Sequence, residues 1–447
     1  MAGGTVTRLP KDPGPAGWNE ILPKAPPPEP LEEQRTADWL VIGAGFAGLA
    51  AARRLNRNRP GESVVVLEAS RIGQGPAGRN SGFMIDLPHD LSSANYGGAA
   101  ERDRKQIAAN RTAIAFAAEA AADYGLPDEA FRPAGKVNAA ASERGLAHNQ
   151  DFAGHLEGLG EAYELLDAQA MQDLTGSRYY QGGLYTAGSA LIQPALFVRG
   201  VAGGLASNRV KLHETSPVLA LTRQEGLWQA ETPQGLVRAP KVILAVNGHA
   251  ESFGYFRRRL IHVFTYASMT RALRAEEVKA LGGQPGWGLT PADPLGTTLR
   301  RITSPQGERI VVRNRFTYDP GLEISEKRLA ASVKDHDAAF AARFPALAGI
   351  EMEYRWGGRL CLSRNDAPAF GMVEEGLYAA CCQNGLGTAR GTFAGVAAAD
   401  LACGVSSSFT QHMVEAPEPT AKPPEPITLL GASARIAWGQ FRAGREL

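Results

Sequence analysis

Trp39-Leu40-Val41-Ile42-Gly43-Ala44-Gly45-Phe46-Ala47-Gly48 is the stretch that decides how this chain folds. A short apolar run, three glycines spaced G-x-G-x-x-G and an Ala- and Leu-rich segment to about Arg57 read as strand, tight turn and helix. The three glycines do different things. Gly43 permits the sharp turn, Gly45 lets a pyrophosphate approach the backbone, and Gly48 lets the helix close on the strand. The helix start then offers free N–H groups and the positive end of its dipole to phosphate. Val64-Val65-Val66-Leu67 reads as a second strand. It ends in Glu68, 20 residues past Gly48, where a carboxylate can accept hydrogen bonds from a ribose. With 51 glycines in the chain, a glycine triplet alone could be a turn that holds nothing. Strand, helix and acidic residue in one order predict a bound dinucleotide instead.

Outward from this unit, the pattern is that of an α/β chain, α+β overall. A doubly wound Rossmann-like domain is expected, with a second domain built on an antiparallel sheet. Residues 101–124 read as a long helix, and 210–221, 227–232 and 236–246 as strands around the Pro233–Gly235 turn. Leu299–Ile302 and Ile310–Val312 flank Ser304-Pro305-Gln306-Gly307, a hairpin signal. The expected division gives segments 37–95, 185–255 and 355–412 to the dinucleotide domain, and 96–184 and 256–354 to a substrate domain. Eight prolines within residues 1–37 and five from Pro417 to Pro426 predict an N-terminal arm (1–36) and a C-terminal tail (413–447). Both should be extended and lie on the surface, with Trp18, Ile21 and Leu22 as anchors.

Composition narrows the function classes. The chain has 447 residues, with 47 Lys+Arg against 46 Asp+Glu and a formal net charge of +1. That balance excludes the basic footprint of a nucleic-acid or anionic-membrane partner. Cys361, Cys381, Cys382 and Cys403 show neither metal-ligand spacing nor a disulfide scaffold, so no metal and a reducing compartment are expected. Without a leader or a long apolar run, the expected location is the cytoplasm.

Two further loops suggest which dinucleotide is bound. Gly75-Pro76-Ala77-Gly78-Arg79-Asn80-Ser81-Gly82 follows Glu68 directly, and Asn384-Gly385-Leu386-Gly387-Thr388 precedes a late helix. A flavin cofactor, longer in reach, would use both. With the head ending in Thr36-Ala37-Asp38, Pro194 opening a helix, Ala245-Val246-Asn247-Gly248, and Trp356-Gly357-Gly358 followed by Pro368 and Gly371, the chain resembles the D-amino-acid-oxidase-like superfamily of FAD-dependent amine oxidoreductases. Within it the resemblance is strongest to γ-glutamylputrescine oxidase-type enzymes. It implies that Gly43, Ala44, Gly45, Phe46, Ala47, Gly48, Glu68 and Ala69 hold the ADP half of FAD. Arg79, Asn80 and Ser81 would line the channel from pyrophosphate to flavin, and Val218 would meet the adenine. Asn247 and Gly248 would also touch the cofactor, and Gly385, Leu386, Gly387 and Thr388 would face the electron-accepting edge of the ring.

The resemblance also implies oxidation of a small-molecule amine or N-substituted amino acid to an imine, which is then hydrolysed. Oxygen would reoxidise the flavin and yield peroxide. Candidates for substrate-side work are Tyr266, His89 and Arg301, with Trp356 and His262 behind them. Arg301 could grip a carboxylate through two parallel hydrogen bonds. Each also has a bland reading, as a core aromatic, a loop histidine or a surface cation. FAD is expected to be non-covalent, because Cys361 stands three residues past Gly358, the position of the attachment cysteine in sarcosine oxidase. No lysine on Arg309–Asn314 matches that enzyme's oxygen-activating one. Three alternatives stay open: a dehydrogenase with another acceptor, an NAD(P)H-fed flavin monooxygenase, and a flavin-binding partner protein without turnover.

Overall fold

The strand–turn–helix forms in the computed structural model, which describes residues 3–88 and 98–447: strand Trp39–Ile42, helix Phe46–Asn58, strand Val64–Leu67. These two strands are inner strands of a six-stranded sheet ordered Val210–His213, Val64–Leu67, Trp39–Ile42, Lys241–Leu244, Leu377–Cys381 and Ala369–Glu374. The first five run parallel and the last is antiparallel. Every residue of Trp39–Ile42 and Val64–Leu67 is buried, which requires cover on both faces. Alternation sorts them. Trp39, Val41, Val64 and Val66 pack with Leu49, Phe197 and Phe393 from helices Phe46–Asn58, Pro194–Leu205 and Ala389–Cys403. Leu40, Ile42, Val65 and Leu67 point the other way, onto Leu221, Trp228 and Val237 of a five-stranded sheet.

The opposite side of the molecule is an eight-stranded mixed sheet. Its order is Met352–Leu362, Ile261–Thr270, Gly307–Tyr318, Thr298–Ser304, Gly288–Pro291, Lys136–Ala140, Gly182–Thr186 and Glu164–Asp167. The hairpin read at Ser304–Gly307 is there, joining two of its longer strands. The helix expected at 101–124 spans Ala100–Asp123.

Four expectations change. The single strand read over 210–221 is two strands in different sheets, Val210–His213 and Ala220–Gln224. Between them the Glu214 carboxylate accepts from Arg71 and from the Ile72 N–H, and Thr215 (φ 49°) turns the chain away. The strand read over 236–246 also divides, at Pro240, which has no N–H to continue a ladder. Leu236–Ala239 stays in the five-stranded sheet and Lys241–Leu244 enters the parallel one.

The borders drawn at residues 185 and 355 fall inside strands Gly182–Thr186 and Met352–Leu362, both of which pair within the eight-stranded sheet. The N-terminal arm lies mostly on the surface, with Trp18, Ile21 and Leu22 as its anchors as expected, but it also joins the sheet structure. Gly3–Thr5 and Gln34–Thr36 form the two edges of the five-stranded sheet, and Trp18 between them is completely buried. In the tail, prolines end at Pro426 and Ile427–Ala443 is helical. No single described helix is long and apolar enough to cross a membrane.

Candidate functional site

A deep cleft opens at the carboxyl ends of the parallel strands, where Ile42, Leu67 and Ala245 reach its floor, and the eight-stranded sheet walls its far side. This is the place a parallel sheet makes for a ligand, next to the strand pair where the connections change direction. The glycine turn forms one wall. Gly43 sits at φ +100°, and a Cβ there would come within 2.7 Å of the Ala245 carbonyl. At Gly48 a Cβ would lie 1.7 Å from the Gly43 carbonyl oxygen, so helix and turn touch backbone to backbone. Gly48 therefore shapes the cleft without lining it. Gly45 differs: an added Cβ would meet only the Ala77 methyl at 3.5 Å, and its open side is the cleft.

Glu68 is half-buried at the end of its strand. Its carboxylate accepts from the Ala44 N–H at 2.9 Å and the Ser70 N–H at 3.1 Å, while burial pushes its pKa up. Ala44, Phe46, Ala47, Ala69, Asn80, Ser81 and Val218 also line the cleft, as does the Gly385–Thr388 turn. Gly45 and Thr388 are the N-caps of helices Phe46–Asn58 and Ala389–Cys403, so two helix N-termini open on one space. Asn247 lines it with φ +47° and a buried side-chain oxygen that no protein group satisfies.

Several expected residues are elsewhere. Arg79 does not face the cleft. It is 7% exposed and donates to the carbonyls of Gln74, Pro13, Gly14 and Gly357. Gly248 packs over His262, which a Cβ there would approach to 2.9 Å. Tyr266 is buried in its sheet, its hydroxyl 2.7 Å from Thr317 Oγ1, and burial raises its pKa to about 12. It does not line the cleft. Arg301 reaches across the hairpin to Glu308 on the neighbouring strand, in an ion pair with 2.6 Å separation. Trp356 is fully buried and donates to the Arg79 carbonyl, and His262 is paired with Glu251 at 2.7 Å. His89 lies outside the described residues.

The wall that sequence reading missed comes from Arg313, Thr290, Pro291 and Thr298 of the eight-stranded sheet, and Phe83, Ile85 and Leu386 line the cleft as well. Arg313 is half-buried on the strand Gly307–Tyr318, its guanidinium 5.0 Å from the Phe316 ring. Arg359 lines the cleft too, but it donates to Asp12 at 2.9 Å and to His249. Burial and the Arg359 charge hold His249 near a pKa of about 3, so its imidazole is neutral. Cys361 also lines the cleft, 2% exposed, and the neighbouring Cys382 together with burial raises its thiol well above the usual range. One signal for Arg313 existed: it stands two and four residues from Val311 and Arg309 on one strand, and so shares their face.

Comparison with known proteins gives this geometry a context. Residues 38–401 match the family described as FAD dependent oxidoreductase (DAO). γ-Glutamylputrescine oxidoreductase of Escherichia coli strain K12 is 26% identical over 390 residues, which is 86% of this chain and 88% of that protein. A probable oxidoreductase, OrdL, of Haemophilus influenzae is 24% identical over 84% of this chain and 85% of its own length. Among solved structures, glycine oxidase from Geobacillus kaustophilus superposes with a TM-score of 0.70 at 17% identity, covering 88% of this chain and 100% of that one.

Proposed function

The chain belongs to the DAO family of FAD-dependent oxidoreductases, and within it we propose that this protein oxidises an amine carrying a carboxylate, such as an N-substituted amino acid, with O2 as the final acceptor. The balance is amine, O2 and water in, and carbonyl compound, released amine and H2O2 out. The residues fit the cofactor. Gly45 leaves space no protein atom fills, two helix N-termini face it, and Asn247 offers an unsatisfied acceptor. In this reading Gly43, Gly45 and the helix start take the pyrophosphate, Glu68 the ribose and Val218 the adenine. Gly385–Thr388 would border the ring. FAD supplies a two-electron acceptor for the C–H bond beside the nitrogen.

The observation that carries the substrate class is Arg313. It stands on the strand Gly307–Tyr318 in the middle of the eight-stranded sheet and lines the cleft beside Thr290, Pro291 and Thr298. A guanidinium can hold a carboxylate in two parallel hydrogen bonds and so fix which C–H is offered. Phe83, Ile85 and Leu386 form an apolar cluster that lines the cleft as well. Such a wall excludes water and disfavours an ammonium, so the amine would bind neutral, with its lone pair available. The name of one relative, γ-glutamylputrescine oxidoreductase, supports amine chemistry. Four free, buried thiols support a reducing compartment such as the cytoplasm.

The test is an anaerobic panel of simple amines, N-alkyl amino acids and NAD(P)H, read as loss of flavin absorbance. Carboxylate-bearing amines should bleach the protein, faster as pH rises toward the amine pKa, and air should restore the colour with one peroxide per turnover. Acid precipitation should leave FAD in the supernatant, because the Cys361 thiol is buried and protonated. Bleaching by NAD(P)H alone would favour a monooxygenase, and colour restored only by an added dye would favour a dehydrogenase.

A further inference from the structure

The family match begins at residue 38, yet the cleft is partly walled by residues that precede it: Val6, Arg8, Leu9, Pro10 and Asp12. The path of this arm explains how. Gly3–Thr5 pairs with Ala220–Thr222, and the N–H groups of Val6 and Thr7 continue the attachment to the carbonyls of Leu219 (2.8 Å) and Ser252 (3.0 Å). The chain then crosses the mouth of the cleft. Beyond it, Arg79 grips the carbonyls of Pro13 and Gly14, both at 2.8 Å, and the buried Trp18 donates to the Asn80 carbonyl at 2.9 Å. The arm is therefore pinned on both sides of the opening, and two of the pins, Arg79 and Asn80, belong to the loop that follows Glu68. This is why Arg79 spends its donors on carbonyls and not on the cleft.

Asp12 sits in the middle of the crossing. One carboxylate oxygen accepts from Arg359 at 2.9 Å. The other is buried and has no partner in the protein. An ionised carboxylate only accepts, so what this oxygen lacks is a donor. Its negative charge also contributes to raising Glu68, which puts it within electrostatic reach of the residue that ends the second strand. An unsatisfied buried carboxylate oxygen costs more than most polar groups, unless a ligand completes it.

We propose that residues 6–14 are a strap belonging to the FAD site, closing over the bound dinucleotide, with Asp12 accepting a hydrogen bond from one of its sugar or sugar-alcohol hydroxyls. The strap rests on FAD being the resident cofactor. It implies an order of events: the arm is open when FAD enters, docks once FAD is in place, and must lift before FAD leaves. The attachments at Gly3–Thr7 and Trp18 can stay in place while residues 8–14 lift, which requires Arg79 to release the Pro13 and Gly14 carbonyls.

Trypsin reports this directly, because Arg8 and Lys11 both lie in the strap and expose their side chains. In full-length protein, cleavage after these residues, followed by intact mass, should be at least ~10-fold slower with FAD bound than after FAD is stripped. Adding FAD back should restore protection. Independently, Asp12→Ala should release FAD on dilution at least ~10-fold faster, as read by rising flavin fluorescence, since a hydrogen bond to a charged group is lost. Asp12→Asn, which keeps the shape and an acceptor oxygen, should fall between, and it serves if the alanine variant folds poorly. Equal cleavage with and without FAD, or release within about twofold of wild type in both variants, overturns the strap. FAD missing from the isolated wild-type protein would overturn the cofactor itself; FAD present with an unprotected strap overturns the strap alone.

Discussion

The two walls of the cleft are built on opposite principles. The wall at the ends of the parallel strands is defined by side chains that are missing, and the wall on the eight-stranded sheet by side chains that are present. At Gly48 the backbone of helix Phe46–Asn58 lies so close to the turn that a Cβ would sit 1.7 Å from a carbonyl oxygen, and no rotation of a side chain relieves that. On the other wall, the hairpin Thr298–Tyr318 carries Arg300, Arg301, Arg309, Arg313 and Arg315, five residues of one type with five different surroundings, Arg315 pairing with Asp335. Arg301 pairs with Glu308, Arg309 with Glu353, Arg300 is caged by carbonyls of Ser81, Gly82 and Ile192, and Arg313 reaches the cleft. Backbone requirements leave a signature in composition. Side-chain destinations depend on strand register and on what the next element places opposite.

The largest effect should come from attacking the first wall. Gly48→Ala forces the helix off the turn, and soluble folded protein should largely disappear, a destabilisation of several kcal/mol as for severe overpacking. Gly45→Val is the matched control. Its new side chain points into the cleft, so the variant should fold, with a melting temperature near that of wild-type protein stripped of FAD, but elute colourless. The comparison breaks if Gly48→Ala is as soluble as wild type, or if Gly45→Val keeps its full flavin content.

The same contrast sets how much can be read from sequence. Gly43, Gly45, Gly48 and Glu68 are legible because each follows from a close approach that only certain residues allow, and the order of strand, turn and helix can be checked along the chain. The split of 236–246 at Pro240 is also legible in principle, since the proline sits inside the run and removes a donor. Tyr266 and Arg301 are not separable from Arg313 by type. One residue of register decides which face a strand side chain occupies. Asp12 and Arg359 are 347 residues apart, and nothing local joins them. Arg79 is legible as part of its loop, but its role there follows from an arm whose route only the fold reveals.

Attacking the second wall should give a smaller and cleaner effect. Arg313→Ala should retain its FAD and lose roughly 10²-fold in kcat/KM for a carboxylate-bearing amine, with little change for an amine lacking the carboxylate. Arg301→Ala should do the reverse. It leaves Glu308 unpaired near the sheet and should lower stability without changing the ratio between the two substrates. Steady-state kinetics on one substrate pair, together with denaturant unfolding, separates them. If Arg301→Ala changes the substrate ratio and Arg313→Ala does not, the assignment of the two arginines is reversed.

The smallest effect concerns what supports that second wall in acid. His336, on the helix Val333–Arg343 behind the sheet, is fully buried, with Nδ1 2.6 Å from Ser268 Oγ and Nε2 unsatisfied. Burial holds its pKa down to about 4. The Asn314 backbone and the Asp335 and Asp337 carboxylates pull it up, and Arg355, itself donating to Ser268, opposes them. Because the folded protein keeps this imidazole neutral while the unfolded chain protonates it near its ordinary value, stability is intact above about pH 6.5. It should fall as pH drops from there to about 4, by up to about 1.4 kcal/mol per pH unit for each such proton. His249, held near 3 on the cleft floor, adds to the same decline. His336→Asn should be less stable than wild type near neutral pH, where a buried hydrogen bond is strained or lost. Its stability should nevertheless decline less steeply toward acid, because one group that must stay unprotonated in the fold has been removed. Urea unfolding at matched pH values across that window reads the slope directly. Parallel slopes for wild type and variant would mean that His336 takes up its proton without unfolding, and that the sheet wall yields to acid no sooner than the glycine wall.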